Sequence, residues 1–352
     1  MKSQKSNSAI VQLPGMKLLF AAAAIIIVVA GLKTAKSLLV PFMFAVFLAI
    51  IGIGPVFWMK RRRFPTFISV SLVALLFLAI FSGIGTLLAT SVNAFTAELP
   101  KYSDSFSKLT LQLEEQLANY NIHTTTTEMF QMIQPGSVME LFGTTLKRSV
   151  GALSDVILVI IIVVFILYEA ADFRVKLRAA LDGKADISRF TSITQEVQHY
   201  LAIKTLTSGL TGLLVGVWVA FMGIDFPMLW GLVAFLLNYI PVIGSIIASV
   251  PAVLLSLVTV GWGGSLSLAI GYVVINVGVS NLLEPILMGR KLGLSPLIVF
   301  LSLVFWGWVW GPAGMLMSVP LTMIVKILLD HSDDFQWVAI LMDLKPRRVS
   351  KS

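Results

Sequence analysis

The sequence predicts an all-α polytopic membrane protein. It would have about six transmembrane helices, two proline- and glycine-broken re-entrant hairpins, and a small extramembrane helical insert. Three observations predict it. First, 57% of the 352 residues are hydrophobic and only 12% are charged, with a mean hydropathy of +0.91. Soluble domains carry about 25% charged residues, so this chain needs lipid as part of its solvent. Second, charge is absent over 37–59, 64–97, 205–224, 226–283 and 292–325, and a spanning helix needs about 20 apolar residues. Third, the last two of these runs are interrupted inside, by Pro241, Gly244 and Pro251 in one and by "WGWVWGPAG" in the other.

Residues 1–92 read as N-terminal transmembrane helices. Span one covers about 16–35, with Lys17, Lys33 and Lys36 able to snorkel at its ends. A signal peptide is the competing reading, but a second apolar span follows almost at once, which favours a retained helix. Span two lies between Lys36 and Lys60, and span three starts near Pro65, where proline suits a first helical turn. Residues 93–148 read as a periplasmic helical insert. Leu99, Tyr102, Phe106, Leu109, Leu113, Leu117 and Tyr120 repeat every three or four positions, which is one face of an amphipathic helix. Its apolar stripe is expected to pack on the membrane domain or on a neighbouring subunit.

Span four is 149–168, with Asp155 near one end, and 169–204 reads as a cytoplasmic amphipathic segment carrying Ile187, Phe190, Val197 and Leu201 at helical spacing. The transport core is 205–330. Its first span is rich in glycine at 209, 212, 216 and 223, and small residues allow close helix contact in lipid. The run from Phe226 onward is too short and too broken for two comfortable spans before "GWGG" at 261–264. A hairpin turning at "NYIPVIG" fits better, followed by span six at about 265–283 and a second hairpin at 297–328. Non-helical backbone at membrane depth is tolerated only where protein or a water-filled cavity covers it. Eight simple spans are the competing count.

Orientation follows from Lys and Arg. "KRRR" at 60–63 and the 331–352 tail with "KPRRVSK" are expected on the cytoplasmic side. Both termini are then inside. The two hairpins enter from opposite faces, and broken helices meeting near the midplane mark substrate sites in secondary transporters.

Composition also excludes functions. The net charge of +8 comes largely from residues flanking hydrophobic spans, so it reads as a topology signal rather than a nucleic-acid surface. Without Cys there is no disulfide, thiolate metal site or Cys nucleophile. The three His are scattered, no G-x-S-x-G turn occurs, and no G-x-x-x-x-G-K-[ST] loop offers ATP as an energy source. The chain is therefore expected to be neither an enzyme nor cofactor-dependent, with no catalytic or metal-ligating residues. A scaffold acting through 93–148 would leave the broken hairpins without a purpose.

Transport by a proton or ion gradient needs an ionisable group in the pathway, and intramembrane ionisable residues are functional candidates by default. Glu284 fits, lying at the end of span six just before Pro285. Its alternative is a structural pairing with Arg290 or Lys291. Arg290 itself sets topology or attracts an anionic cargo. Asn238 and Asn281 offer amide donors and acceptors to a polar solute, or else hydrogen-bond between helices. Tyr239, Pro241 and Gly244 form the break beside Asn238. Trp306 and Trp308 sit either in an interfacial belt or at a hairpin tip where they stack on or gate the cargo.

"GLVAFLLNYIPVIGSIIASVP", "VQHYLAIKTLTSGLTGL" and "NLLEPILMGRKLGLSPLIVFLSLVFWGWVWGPAGMLMSVPLTMIVKILL", together with the order of spans and the insert, resemble the autoinducer-2 exporter family of bacterial inner-membrane proteins, and its signal exporters most of all. The resemblance covers nearly the whole chain. It implies export of autoinducer-2, a small polyhydroxylated furanone-derived signal, by a homo-oligomer, a pentamer in the family. Relatives on the same fold include sodium(lithium)/proton antiporters, which is the alternative function. A membrane-spanning antiporter would be expected to bury more acids than Glu284.

Overall fold

The computed structural model describes residues 14–119, 141–145, 147, 156–180, 187–288, 294–330 and 335–343. Its helices are α1 (Pro14–Thr34), α2 (Lys36–Arg61), α3 (Thr66–Asn119), α4 (Val156–Ala180), α5 (Ile187–Phe221), α6 (Pro227–Leu237), α7 (Ile243–Thr259) and α8 (Gly261–Asn276). A π-helical segment, Val277–Leu283, leads into α9 (Glu284–Met288), and α10 (Pro296–Trp310), α11 (Pro312–Asp330) and α12 (Gln336–Met342) follow. No β-strand occurs among the described residues. The chain is an all-α polytopic membrane protein. Helices satisfy their own backbone in lipid, which leaves side chains free to choose the packing.

Among the described residues, five helical stretches are long and apolar enough to cross a bilayer: Lys36–Arg61, Thr66–Leu109, Thr194–Phe221, Gly261–Met288 and Pro312–Asp330. α3 is continuous for 54 residues, about 80 Å at 1.5 Å per residue. It therefore extends well past a hydrocarbon core of about 30 Å. The change of composition at residue 93 falls inside this one helix, so the solvent changes there while the backbone continues. The expected apolar stripe packs inward, with Tyr102 and Phe106 buried and Leu99 beside them, in a cluster with Leu229 and Trp230 of α6 and Leu268 of α8. Its outer part (Leu113, Leu117 and Tyr120) is not among the described side chains, and neither is most of 120–148.

Small residues set the closest contacts. On α2, Ala45, Ala49 and Gly52 are buried in a seam with Val70, Val73 and Phe77 of α3 and Val163 and Leu167 of α4. α5 meets α6 almost backbone to backbone: a Cβ on Gly212 would stand 2.6 Å from the Gly231 carbonyl oxygen, and one on Gly231 would stand 2.8 Å from that of Gly212. This is the small-residue packing that association in lipid favours.

Both broken apolar runs fold as helix–break–helix pairs. α6 and α7 are joined by Asn238–Val242 and have 11 and 17 residues, each shorter than a span. α10 and α11 are joined at Gly311, where φ is +68°, and have 15 and 19 residues. The two pairs share a construction. Just inside the returning helix a glycine lies against a carbonyl of the outgoing one, Gly244 on Leu237 and Gly314 on Trp306. Ser-Val-Pro follows in each, at 249–251 and 318–320. At the first tip Val242 holds φ +63° while 74% exposed, a costly conformation for a β-branched residue.

Each pair is fastened at its start. Before α6, the Tyr102 hydroxyl of α3 donates to Asp225 Oδ2 at 2.7 Å, and Trp230 Nε1 donates to the Asp225 carbonyl at 3.0 Å. Before α10, Ser295 caps the helix by accepting from Ile298 N–H, its own N–H donates to the Met342 carbonyl at 3.0 Å, and Lys326 of α11 pairs with Asp343. Tyr102→Phe is expected to lower stability by about 1.5–3 kcal/mol, the worth of a hydrogen bond to a charged group, read as a fall in the thermal midpoint of the detergent-purified protein.

Candidate functional site

α5 presents Lys204, Thr207, Ser208 and Thr211 at helical spacing, on one face, and all four are buried. In an apolar bundle such a stripe needs partners, because an unpaired polar group there costs several kcal/mol. The partners come from three elements. From the first hairpin tip, Asn238 Nδ2 donates to Ser208 Oγ at 3.0 Å. From the π-helical segment, Ser280 Oγ donates to Asn238 Oδ1 at 3.2 Å. From the first position of α9, Glu284 receives Lys204 Nζ at 3.0 Å on Oε1 and 2.9 Å on Oε2. Thr207 Oγ1 lies 3.4 Å from Glu284 Oε2 and 3.2 Å from the Lys204 carbonyl oxygen, so its single proton serves one or the other. At the open edge, Tyr239 donates to Thr205 Oγ1 at 2.8 Å.

The ion pair is shielded, its side chains 6% and 14% exposed. Desolvating two such charges costs several kcal/mol each, which the contact between them offsets.

Opposite α5 runs a second stripe. Tyr272, Asn276, Ser280 and Glu284 follow one another at four-residue intervals along α8, the π-helical segment and α9. In a straight α-helix each such step drifts by about 40°, so the stripe would spiral away from α5. The wider π-turns reset that drift. Pro285 gives a reason for them at this place: it lacks an N–H and would clash with the carbonyl four residues back in regular helix. Two atoms of this stripe, the Tyr272 hydroxyl and Asn276 Oδ1, are buried without a hydrogen-bond partner among the described residues, as is Trp218 Nε1 on α5. The result is a track of polar groups between α5 and α8. Its middle is saturated by protein and its Tyr272 end has hydrogen-bonding capacity to spare.

The sequence-derived residues fall in different places. Asn238, Tyr239 and Glu284 come together on α5. Pro241 and Gly244 build the tip that carries Asn238. Pro241 and Val242 also line an apolar cavity of about 250 Å³ facing Leu294, Pro296 and Val299 of the second pair. Asn281 and Pro285 are exposed. Arg290 and Lys291 lie outside the described residues, and Glu284 has Lys204 as its cation. Trp306 is buried, donating to Thr322 Oγ1 at 3.1 Å. Trp308 is 60% exposed under Lys33, whose Nζ is 4.4 Å from the ring centroid. Trp306 shares a buried cluster with Tyr200, Leu201 and Ile203 of α5. Among the described residues no three His, Asp or Glu gather as they would around a metal.

Sequence reasoning treated Lys204 only as the end of an uncharged run and passed over Thr205, Thr207, Ser208 and Ser280. The available signal was spacing: 204, 207, 208 and 211 repeat on one helix face, and 272, 276, 280 and 284 repeat on another.

Comparison with known proteins bears on what such a track belongs to. The chain is 36% identical over 337 residues to "AI-2 transport protein TqsA" of Escherichia coli K12, covering 95% of this chain and 97% of that protein. It is 34% identical over 329 residues to "Putative transport protein YhhT" of the same organism, covering 93% and 94%. The family profile described as "AI-2E family transporter" matches residues 19–334. A multi-pass bundle with two broken helix pairs and a buried polar track, matched along nearly its whole length, is thus a member of the AI-2E family of transporters.

Proposed function

We propose that the protein is a secondary transporter of the bacterial inner membrane that exports autoinducer-2, or a similar small polar metabolite, along the track between α5 and α8. The single observation that carries this reading is the paired stripe itself, in which hydroxyl, amide and phenol groups line up through an otherwise apolar bundle. A neutral polyol exchanges hydrogen bonds with water for hydrogen bonds with such groups at little net cost. The name of the TqsA relative supports the cargo. In this reading the two broken pairs are re-entrant hairpins, both termini are cytoplasmic, 93–148 is the periplasmic insert, 169–204 borders the cytoplasm and 205–330 is the transport core. The assembly is a homo-oligomer, a pentamer by family resemblance.

Asn238 is the residue on which the cargo reading turns, since it bridges Ser208 and Ser280 from the break between α6 and α7. Asn238→Ala is expected to lower export of the signal at least about tenfold, the effect of about 1.4 kcal/mol on a barrier, with membrane abundance unchanged. Export at the wild-type rate from a well-expressed variant removes Asn238 from the pathway.

A second reading, a sodium(lithium)/proton antiporter, is favoured by one observation only, the buried Lys204–Glu284 pair, which is a charged site inside the bundle.

A further inference from the structure

We infer that the Tyr272 end of the track is a binding site for a neutral, polyhydroxylated small molecule, held by Tyr272, Asn276 and Trp218. The inference rests on the transporter reading above and deepens it by placing the cargo. Among the described residues, only three buried side-chain nitrogen or oxygen atoms lack a hydrogen-bond partner: the Tyr272 hydroxyl, Asn276 Oδ1 and Trp218 Nε1. All three belong to the contact between α5 and α8. Tyr272 is 2% exposed, and Asn276 follows it by one turn on the same helix face. Asn276 Nδ2 donates to the Tyr272 carbonyl at 2.8 Å, which fixes the amide and leaves Oδ1 as a free acceptor. Trp218 reaches across from α5: a Cβ on Gly271 would stand 1.9 Å from its Nε1. The indole N–H therefore rests on bare α8 backbone, at the residue beside Tyr272.

Folded interiors pair nearly all such atoms, so three orphans at one helix contact call for a ligand. Their chemistry gives its class. Trp218 only donates, Asn276 Oδ1 only accepts and the phenol does either. A hydroxyl group answers all three, since it donates one proton and accepts through two lone pairs. A bare cation would face the indole N–H and an anion would face the amide oxygen, with no opposite charge among the three side chains. Their neighbours are apolar, with Val215 and Val219 of α5 in one buried cluster with Leu268 and Tyr272 of α8, which suits the carbon frame of a small polyol.

The same end of the track is the one that can part. Through Asn238 and Lys204, α5 is tied to the π-helical segment and to α9. Among the described residues no hydrogen bond ties α5 to α8. Separating these two helices near Tyr272 breaks no protein hydrogen bond and gives three orphan atoms room for partners. The cargo enters there and is handed to Asn238 and Ser280 along the stripe.

The test measures thermal midpoints of the full-length protein in detergent, without ligand, with autoinducer-2, and separately with ribose as a neutral polyol of different identity. Without ligand, Tyr272→Phe is expected to keep the wild-type midpoint or exceed it by a few degrees, because it deletes a buried hydroxyl that has no partner, whereas Tyr102→Phe falls. With ligand, the wild-type midpoint is expected to rise by several degrees, and Tyr272→Phe to need about tenfold more ligand for the same rise, the worth of one hydrogen bond. The general stabilisation of any fold by polyols is equal in the two proteins and drops out of the difference. A Tyr272→Phe midpoint that falls as far as that of Tyr102→Phe overturns the inference, since the phenol then has a permanent partner. So does an equal response of wild type and Tyr272→Phe to both ligands. A rise with ribose and none with autoinducer-2, lost in Tyr272→Phe, upholds the site and defeats the cargo of the proposed function.

Discussion

Gly244→Ala is expected to abolish export and to lower the thermal midpoint sharply. A Cβ at this position would sit 1.8 Å from the Leu237 carbonyl oxygen and 3.1 Å from Ile240 Cβ. Neither neighbour is the free end of a flexible side chain, so the methyl fits only if α6 and α7 separate. Overpacking of this kind costs about 3 kcal/mol or more. The separation also withdraws Asn238 from Ser208, because Asn238 is the first residue of the turn that follows Leu237. The informative control is Gly209→Ala on α5, where a Cβ meets nothing within 4 Å. That change is expected to be neutral or to stabilise by up to about 1 kcal/mol through helix propensity. Wild-type stability and export in Gly244→Ala would mean that the tip has room the geometry denies it.

Breaking the Lys204–Glu284 pair from one side carries the second large effect. In choline chloride, Lys204→Met or Glu284→Gln leaves a buried charge without its partner, at a cost of about 3–5 kcal/mol. Replacing both residues together removes both charges and is expected to recover most of that loss. A double-mutant cycle on thermal or chemical stability reads the coupling between them. Additive losses, with the double variant as unstable as the sum of the singles, would mean that the two side chains act independently. Export is expected to fall at least about tenfold in all three variants, since each replaces a polar group of the track beside Thr207.

How much of this was legible in the sequence depends on what each element is made of. Both breaks were legible because proline and glycine interrupt uncharged runs, and the structure breaks the helices at Asn238–Val242 and Gly311; the span count was less so, since α11, inside the second broken run, is itself long and apolar enough to cross. The continuity of α3 was not. Side-chain composition turns amphipathic near residue 93, but backbone hydrogen bonds are indifferent to that change, and the helix runs on through Glu98 and Pro100.

In the site, Asn238, Tyr239 and Glu284 stood out as lone polar groups in apolar surroundings. Their partners did not. Serine and threonine in membrane helices usually donate to the backbone carbonyl three or four residues back, as Thr211 does to Thr207, so their presence carries no signal alone. Lys204 was masked by its position at the edge of an uncharged run, where a snorkelling role is the ordinary one. Only the pairing of two stripes across α5 and α8 distinguishes these residues, and that pairing depends on a π-helical segment that residue spacing alone does not mark.

The central claim, that the track carries a small polar solute, is tested most directly in proteoliposomes of the purified protein with labelled autoinducer-2 inside and an imposed proton gradient. The account predicts gradient-dependent efflux of the label by wild type and little above empty liposomes by Asn238→Ala. Movement of sodium with no movement of the label, or equal efflux by both proteins, would contradict it.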